Sequence, residues 1–147
     1  MHNVRDLLEA KERNLWTIGP DASAYEALQL MAEKNIGALP VTDKGQLIGI
    51  FSERDYARKV VLRGRTSRET TVQELMTTEV LYVEPGETIN GCLRLMSAKR
   101  VRHLPVLESQ TLVGIITIGD VGKAIIDDQA DTIRVLETYI SGKEPRS

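Results

Sequence analysis

One ungapped duplication constrains this chain more than any other feature. Residues 17–55 align with residues 82–120 at a constant offset of 65, and 12 of the 39 positions are identical. The identical pairs include Pro20/Pro85, Leu39/Leu104, Pro40/Pro105, Val41/Val106, Gly49/Gly114, Ile50/Ile115 and Asp55/Asp120, with Ser52/Thr117 a close match. The likeness resumes upstream, where "VRDLL" (4–8) resembles "VQELM" (72–76), with three extra residues before Trp16. A fixed period of this kind means that one supersecondary unit has been built twice.

Both copies have the same internal order. A short apolar stretch ("LWTI", "VLYV") is followed by Pro and a turn. Apolar residues then recur at helical spacing, at Ala24, Leu28 and Met31 and at Ile89, Leu93 and Met96. Ser23 and Thr88 stand where helix N-caps belong. Two strand-like runs follow in each copy, "ALPVT" and "QLIGIF" around "DKG", then "HLPVL" and "TLVGII" around "ESQ". A second helix is expected near Asp55 and near Asp120. The unit is β-α-β-β-α, with a parallel pair across the helix and an antiparallel hairpin. The fold class is therefore α/β (α+β), a tandem repeat with pseudo-twofold symmetry. The expected boundaries are 4–63 for the first repeat, 64–71 for a polar linker, 72–127 for the second repeat and 128–147 for a C-terminal helix and tail. Residues 131–140 carry Ile133, Leu136 and Ile140 on one helical face. A half of about 60 residues is marginal for a core of its own, so the two sheets are expected to pack on each other.

The totals exclude several classes. Net charge is −2 and apolar content 41%, which gives no global pull toward nucleic acid or an anionic membrane. No apolar run approaches the roughly 20 residues that span a bilayer. The N-terminal "MHNVRDLLEAKERN" lacks a secretory apolar stretch. Cys92 is the one cysteine, so no internal disulfide can form and a reducing, cytoplasmic setting is expected. His2 and His103 are the two imidazoles. No metal-ligand spacing and no nucleophile–base pair is visible, so neither a metal nor catalysis is expected.

The chemistry concentrates at "GIITIGD" and its earlier copy "GIFSERD". Each puts a hydroxyl at the end of an apolar strand and an aspartate at the start of a helix. A helix start favours anions, and a carboxylate there can accept hydrogen bonds from two neighbouring hydroxyls, as on a ribose. The same residues can equally be plain helix caps. Both readings remain open from spacing alone.

The duplicated unit, the "GALPV" and "RHLPV" strands and the "GIFSERD" and "GIITIGD" endings resemble the CBS-domain pair, or Bateman module, over residues 4–127. That resemblance implies adenosine-containing ligands, AMP, ADP, ATP or NAD, bound in the cleft between the repeats. It places Asp120 on the ribose hydroxyls, Thr117 on the phosphate or sugar, Gly119 as a backbone N–H donor and Arg102 on phosphate. Thr17, Ile18 and Ala22 would line the base pocket, with Ile36 and Gly37 at the base edge. A second, weaker site would use Ser52, Arg54, Asp55, Tyr82, Val83 and Val101. It departs from the pattern, because Glu87 stands where Ala22 stands in the first and Tyr82 is bulkier than Thr17.

The resemblance further implies a regulatory, signal-transducing module that modulates a partner protein. It also implies a homodimer, with Tyr56, Val60, Val61, Val121, Ile125 and Ile126 as candidate interface residues, unless these complete the core. A ligand-free structural dimerisation module is the alternative. His103, adjacent to Arg102 on a strand, would face the opposite side, and Cys92 is read as a small buried hydrophobe. Trp16 is placed at a dimer surface rather than on a base. The basic stretch 54–68 reads as a solvated face and linker or a polyphosphate rim. The overall charge and the absence of interleaved aromatics speak against nucleic acid.

Overall fold

The computed structural model describes residues 3–11 and 15–141, apart from the Tyr139 and Ser141 side chains; His2 lies outside them. Helix α1 spans Val4–Ala10, α2 Ala24–Lys34, β1 Ala38–Asp43, β2 Gln46–Ser52 and α3 Glu53–Tyr56, which continues as a π-helical turn Ala57–Val61. Then come α4 Val72–Leu75, α5 Ile89–Lys99, β3 His103–Glu108, β4 Thr111–Thr117 and α6 Ile118–Ser141. Two small antiparallel sheets result, β1–β2 and β3–β4, so the chain mixes helix and strand in the repeated order read from the sequence.

Local chemistry sets the element ends. Ser23 and Thr88 cap α2 and α5, accepting from the backbone N–H of Glu26 at 3.1 Å and Gly91 at 2.9 Å. Asn35 and Arg100 close the same helices in the left-handed region, at φ 54° and 55°. The β1–β2 hairpin pairs Asp43 with Gln46 and turns on Lys44 and Gly45, both at positive φ. The β3–β4 hairpin turns on Ser109 and Gln110, also both positive. Two-residue loops of this hand match the twist of the flanking strands.

The first apolar stretch of each copy is shorter as a strand than expected. Each makes a single parallel bridge, Ile18 with Val41 and Val83 with Val106. Ile18 and Val83 donate to the carbonyls of Pro40 and Pro105 at 3.1 and 3.0 Å. Those prolines have no N–H with which to extend the ladder.

The chain forms two compact bodies, and they do not follow the repeats. One contains the described residues of 1–13, 84–104 and 116–147; the other contains those of 14–83 and 105–115. The upstream segment of each copy sits on the other copy's crossover helix. In the first body the N–H groups of Val4 and Arg5 donate to Glu87 and Pro85, each at 2.9 Å. In the second, those of Val72 and Gln73 donate to Ala22 and Pro20 at 2.8 and 3.0 Å. Both short helices carry reciprocal capping boxes, Asn3/Asp6 on α1 and Thr71/Glu74 on α4.

The second body is built on Ala24, Ala27, Met31, Leu39, Val41, Phe51, Val60, Val72 and Leu75. The first buries Val4, Leu7, Ile89, Cys92, Met96, Leu104, Ile116, Val121 and Ala124, and packs α5 on α6. Val60 and Val121 therefore complete cores, whereas Val61 and Ile126 stay exposed. The segment before α4 is strapped down as well. The Thr70 side chain is buried and donates to the Thr66 carbonyl at 2.7 Å. Helix α6 is one continuous helix of 24 residues, where the sequence suggested a separate helix over 131–140.

Candidate functional site

Each body presents one repeated hydroxyl–aspartate pair at a strand-to-helix junction. In the first body Thr117 ends β4 and Asp120 lies in the first turn of α6. The Thr117 N–H donates to Asp120 Oδ2 at 2.8 Å, and the Asp120 N–H donates to Thr117 Oγ1 at 3.0 Å. In the second body the Ser52 N–H and hydroxyl donate to Asp55 Oδ2 at 3.1 and 3.0 Å, and the Asp55 N–H returns to Ser52 Oγ at 3.2 Å. Both pairs are thus capping boxes, the capping alternative that the spacing left open. A box still leaves a carboxylate and a hydroxyl held in fixed orientation.

The two ends share a backbone clamp. The Ile118 N–H donates to the Arg102 carbonyl at 2.9 Å, and the Glu53 N–H donates to the Gly37 carbonyl at 3.1 Å. The first clamp holds Arg102 beside the Thr117–Asp120 turn. The second fixes Gly37 beside Ser52 and Asp55.

Each carboxylate also takes partners that the sequence left unseen. Lys11, just past α1, puts Nζ 2.6 Å from Asp120 Oδ2, with both side chains partly buried. Thr77 donates its hydroxyl to Asp55 Oδ1 at 3.4 Å, and Lys59 Nζ lies 3.4 Å from the same oxygen. Thr77 reaches Asp55 because its segment adds to the β2 edge, through Ile50 N–H to Thr77 O at 3.0 Å and Thr77 N–H to Ile50 O at 2.9 Å. Gly49 permits that approach, since a Cβ there would meet Met76 Sδ at 2.6 Å and Thr77 O at 3.0 Å. Lys59 could have been found from its i,i+4 spacing to Asp55. Lys11 and Thr77 had no local signal, because both arrive on the exchanged upstream segments.

Electrostatics at the Asp120 end follow from this geometry. Burial pushes the Asp120 carboxyl up, but the Lys11 ammonium and the Thr117 donors outweigh it and leave it below the usual aspartate value. Burial lowers the His103 pKa; the Asp120 charge opposes that shift, while Lys11 and Arg102 reinforce it. His103 is half-buried at the start of β3 and Arg102 is exposed in the bend just before it, so the two are not alternating residues of one strand as the sequence suggested.

The remaining predicted residues divide between the bodies. Arg102, Thr117, Gly119 and Asp120 belong to the first; Thr17, Ile18, Ala22, Ile36 and Gly37 belong to the second. Ile18, Ala22 and Ile36 pack against the second body's core and Thr17 is exposed. The Ile36 N–H is used by Met31, and the Gly37 carbonyl by Glu53. Of the weaker set, Ser52, Arg54, Asp55, Tyr82 and Val83 lie in the second body and Val101 in the first. Tyr82 is exposed, Val83 buried, and the Val101 N–H is used by Met96. Glu87 turns back on its own helix, accepting from the Thr88 N–H at 3.0 Å.

The other singled-out groups have structural partners. Lys34 sits 4.1 Å over the Trp16 ring, which packs against the core. In the basic stretch, Lys59 donates to the Leu75 carbonyl, Arg65 pairs with Glu74, and Arg68 covers Tyr25. Cys92 is buried, and burial with the nearby Glu87 charge pushes its thiol up to about 11, far from thiolate reactivity. Among the described residues no group of three or more His, Cys, Asp or Glu could hold a metal, and no helix is long and apolar enough to cross a membrane.

The CBS domain family profile matches residues 4–62 and 72–127. A solved structure of a protein with CBS domains from Burkholderia ambifaria MC40-6 superposes with a TM-score of 0.84 at 48% identity, covering 86% of this chain and 96% of that one. CBS domain-containing protein CBSX3, mitochondrial, of Arabidopsis thaliana is 34% identical over 149 residues, covering 95% of this chain and 72% of the relative. The CBS domain pair of protein MJ0100, solved with 5′-methylthioadenosine and S-adenosyl-L-methionine, superposes with a TM-score of 0.75 at 25% identity, covering 86% of this chain and 97% of that one. With its duplicated unit, its paired hydroxyl–aspartate junctions and a profile match over both copies, the chain belongs to the CBS-domain family.

Proposed function

We propose that this chain is a non-catalytic regulatory module that binds an adenosine-containing nucleotide, with the Asp120 end as its principal site. The observation that carries the reading is the Thr117–Asp120 junction. A carboxylate held ionised at a helix start, with a hydroxyl beside it and Arg102 clamped to the same turn, suits a ribose and a phosphate. The adenosine-type ligands of MJ0100 support that choice of class. Thr17, Ile18, Ala22, Ile36 and Gly37 enter as the base-side residues of the family pattern, and Ser52, Arg54 and Asp55 as a weaker second site. The ligand acts by population shift, stabilising the conformation it prefers, which a partner protein then reads. Self-association into a homodimer is part of the proposal.

Isothermal titration with AMP, ADP, ATP and NAD tests it. At least one binds, and Asp120→Ala weakens that binding by about tenfold or more, the loss of a charge-assisted hydrogen-bond set. Unchanged affinity in Asp120→Ala would sink the site assignment.

A second reading has its own support. Both aspartates already have partners within their own bodies, as helix caps and ion pairs, which suits a ligand-free structural module. A thermal-shift screen in which no nucleotide raises the melting temperature would favour it, since any ligand preferring the folded state must stabilise it.

A further inference from the structure

The geometry points to Lys11 as the residue that sets the charge class of the ligand at the Asp120 end, selecting phosphorylated nucleotides over the uncharged nucleoside. The inference rests on the adenosine-ligand reading above and adds to it what distinguishes one ligand from another.

Lys11 Nζ stands 2.6 Å from Asp120 Oδ2, and the two residues are 109 apart in sequence. The contact is half-shielded, with side-chain exposures of 31% and 24%, so it is screened less than a surface pair. At the i+4 position the helix supplies no cation here. The position four after Asp120 is Ala124, which is buried, whereas the position four after Asp55 is Lys59.

The charges around the turn can be summed. Asp120 contributes −1, Lys11 and Arg102 contribute +1 each, and half-buried His103 is neutral at neutral pH because burial, Lys11 and Arg102 depress its pKa more than Asp120 raises it. These four described side chains together carry one net positive charge, and Lys123, three residues after Asp120 on α6, has the same sign. Ribose hydroxyls are neutral donors and leave that charge uncompensated. A phosphate bound beside the ribose compensates it, and the ammonium can pass from the carboxylate to a phosphate oxygen while the hydroxyls take its place on Asp120. A sulfonium nucleoside brings the wrong sign.

Titration of the full chain with adenosine, AMP and S-adenosylmethionine, in the wild type and in Lys11→Gln and Lys11→Arg, tests the assignment, with circular dichroism to show that each variant is folded. The wild type is expected to bind AMP about tenfold or more tighter than adenosine, and S-adenosylmethionine no tighter than adenosine. Lys11→Gln loses about tenfold in AMP affinity while adenosine binding holds or improves, and Lys11→Arg keeps the AMP preference. A wild type that takes adenosine as tightly as AMP, or a Lys11→Gln variant that keeps the wild-type ratio, overturns the role of Lys11 and leaves the adenosine-ligand reading standing. Binding of none of the three overturns the role of Lys11, and failure of ADP, ATP and NAD as well defeats the adenosine-ligand reading too.

Discussion

The Asp55 and Asp120 ends carry the same local motif and use it differently. At both, a strand ends in a hydroxyl residue, a helix begins, and an aspartate closes a capping box. Asp55 draws its cation from its own helix, with Lys59 at 3.4 Å, and gains a neutral donor in Thr77. Asp120 draws its cation from the far end of the sequence, with Lys11 at 2.6 Å. Duplication copied the box but not its counter-charge. A partner supplied by the same helix turn is cheap to hold and worth about 0.3–0.5 kcal/mol. A partner supplied from elsewhere ties the carboxylate to the fold of its whole body.

The comparison can be broken first at Gly49. Gly49→Ala drives a Cβ into Met76 and the Thr77 carbonyl, so it is expected to cost about 1–3 kcal/mol in urea unfolding, as overpacking does. It should also detach Thr77 from Asp55. A variant as stable as the parent would show that the segment gives way freely. Next in size is the contrast between Asp120→Ala and Asp55→Ala under calorimetry. The first should weaken nucleotide binding by about tenfold or more and the second by less than about threefold, both variants losing one helix cap. Equal losses would make the two ends equivalent.

The pH dependence sharpens the same contrast. Asp120 has a folded pKa below its ordinary value, so its stabilising contribution is present above that value and lost as pH falls below about 4. His103 is also depressed, so its contribution is present above about 6.5 and lost as pH falls from there through its folded pKa. Thermal melts from pH 7 to 3 should fall in two stages. Lys11→Gln should flatten the lower one, and an unaltered acid limb in that variant would remove Lys11 as its cause. The smallest effect belongs to the turns. The β1–β2 hairpin has Gly45 where the β3–β4 hairpin forces Gln110 to φ 66°. Gln110→Gly should therefore raise stability by about 0.5–1 kcal/mol, measured by urea midpoint; a drop would mean that Gln110 makes compensating contacts.

What the sequence made legible was local or repeated. The offset of 65, the Ser23 and Thr88 caps and the two hairpin turns could be read because each depends on residues close together in the chain. The hydroxyl–aspartate junctions were legible as positions, although capping and ligand binding share one signature there. Lys11 and Thr77 were not legible, because they reach their aspartates on segments exchanged between the copies, and that exchange leaves no periodicity. The first strands were overestimated, since the prolines that limit them lie on the neighbouring strand. The unbroken run of α6 was not legible, because the apolar face over 131–140 lies beyond the repeated unit and nothing in the repeat ties it to the helix that starts at Ile118.

The exchange of upstream segments also dictates an order of events during synthesis. The body containing residues 14–83 and 105–115 has all its parts once residue 115 has been made. The body containing α1 needs α5 and α6 as well, so α1 lacks its full set of partners until residues beyond 115 have been made. A nascent chain ending inside β4 would hold one nearly complete body and, of the other, only α1 and α5 without α6, and dividing the gene between residues 63 and 72 would yield two fragments of which neither contains a whole body.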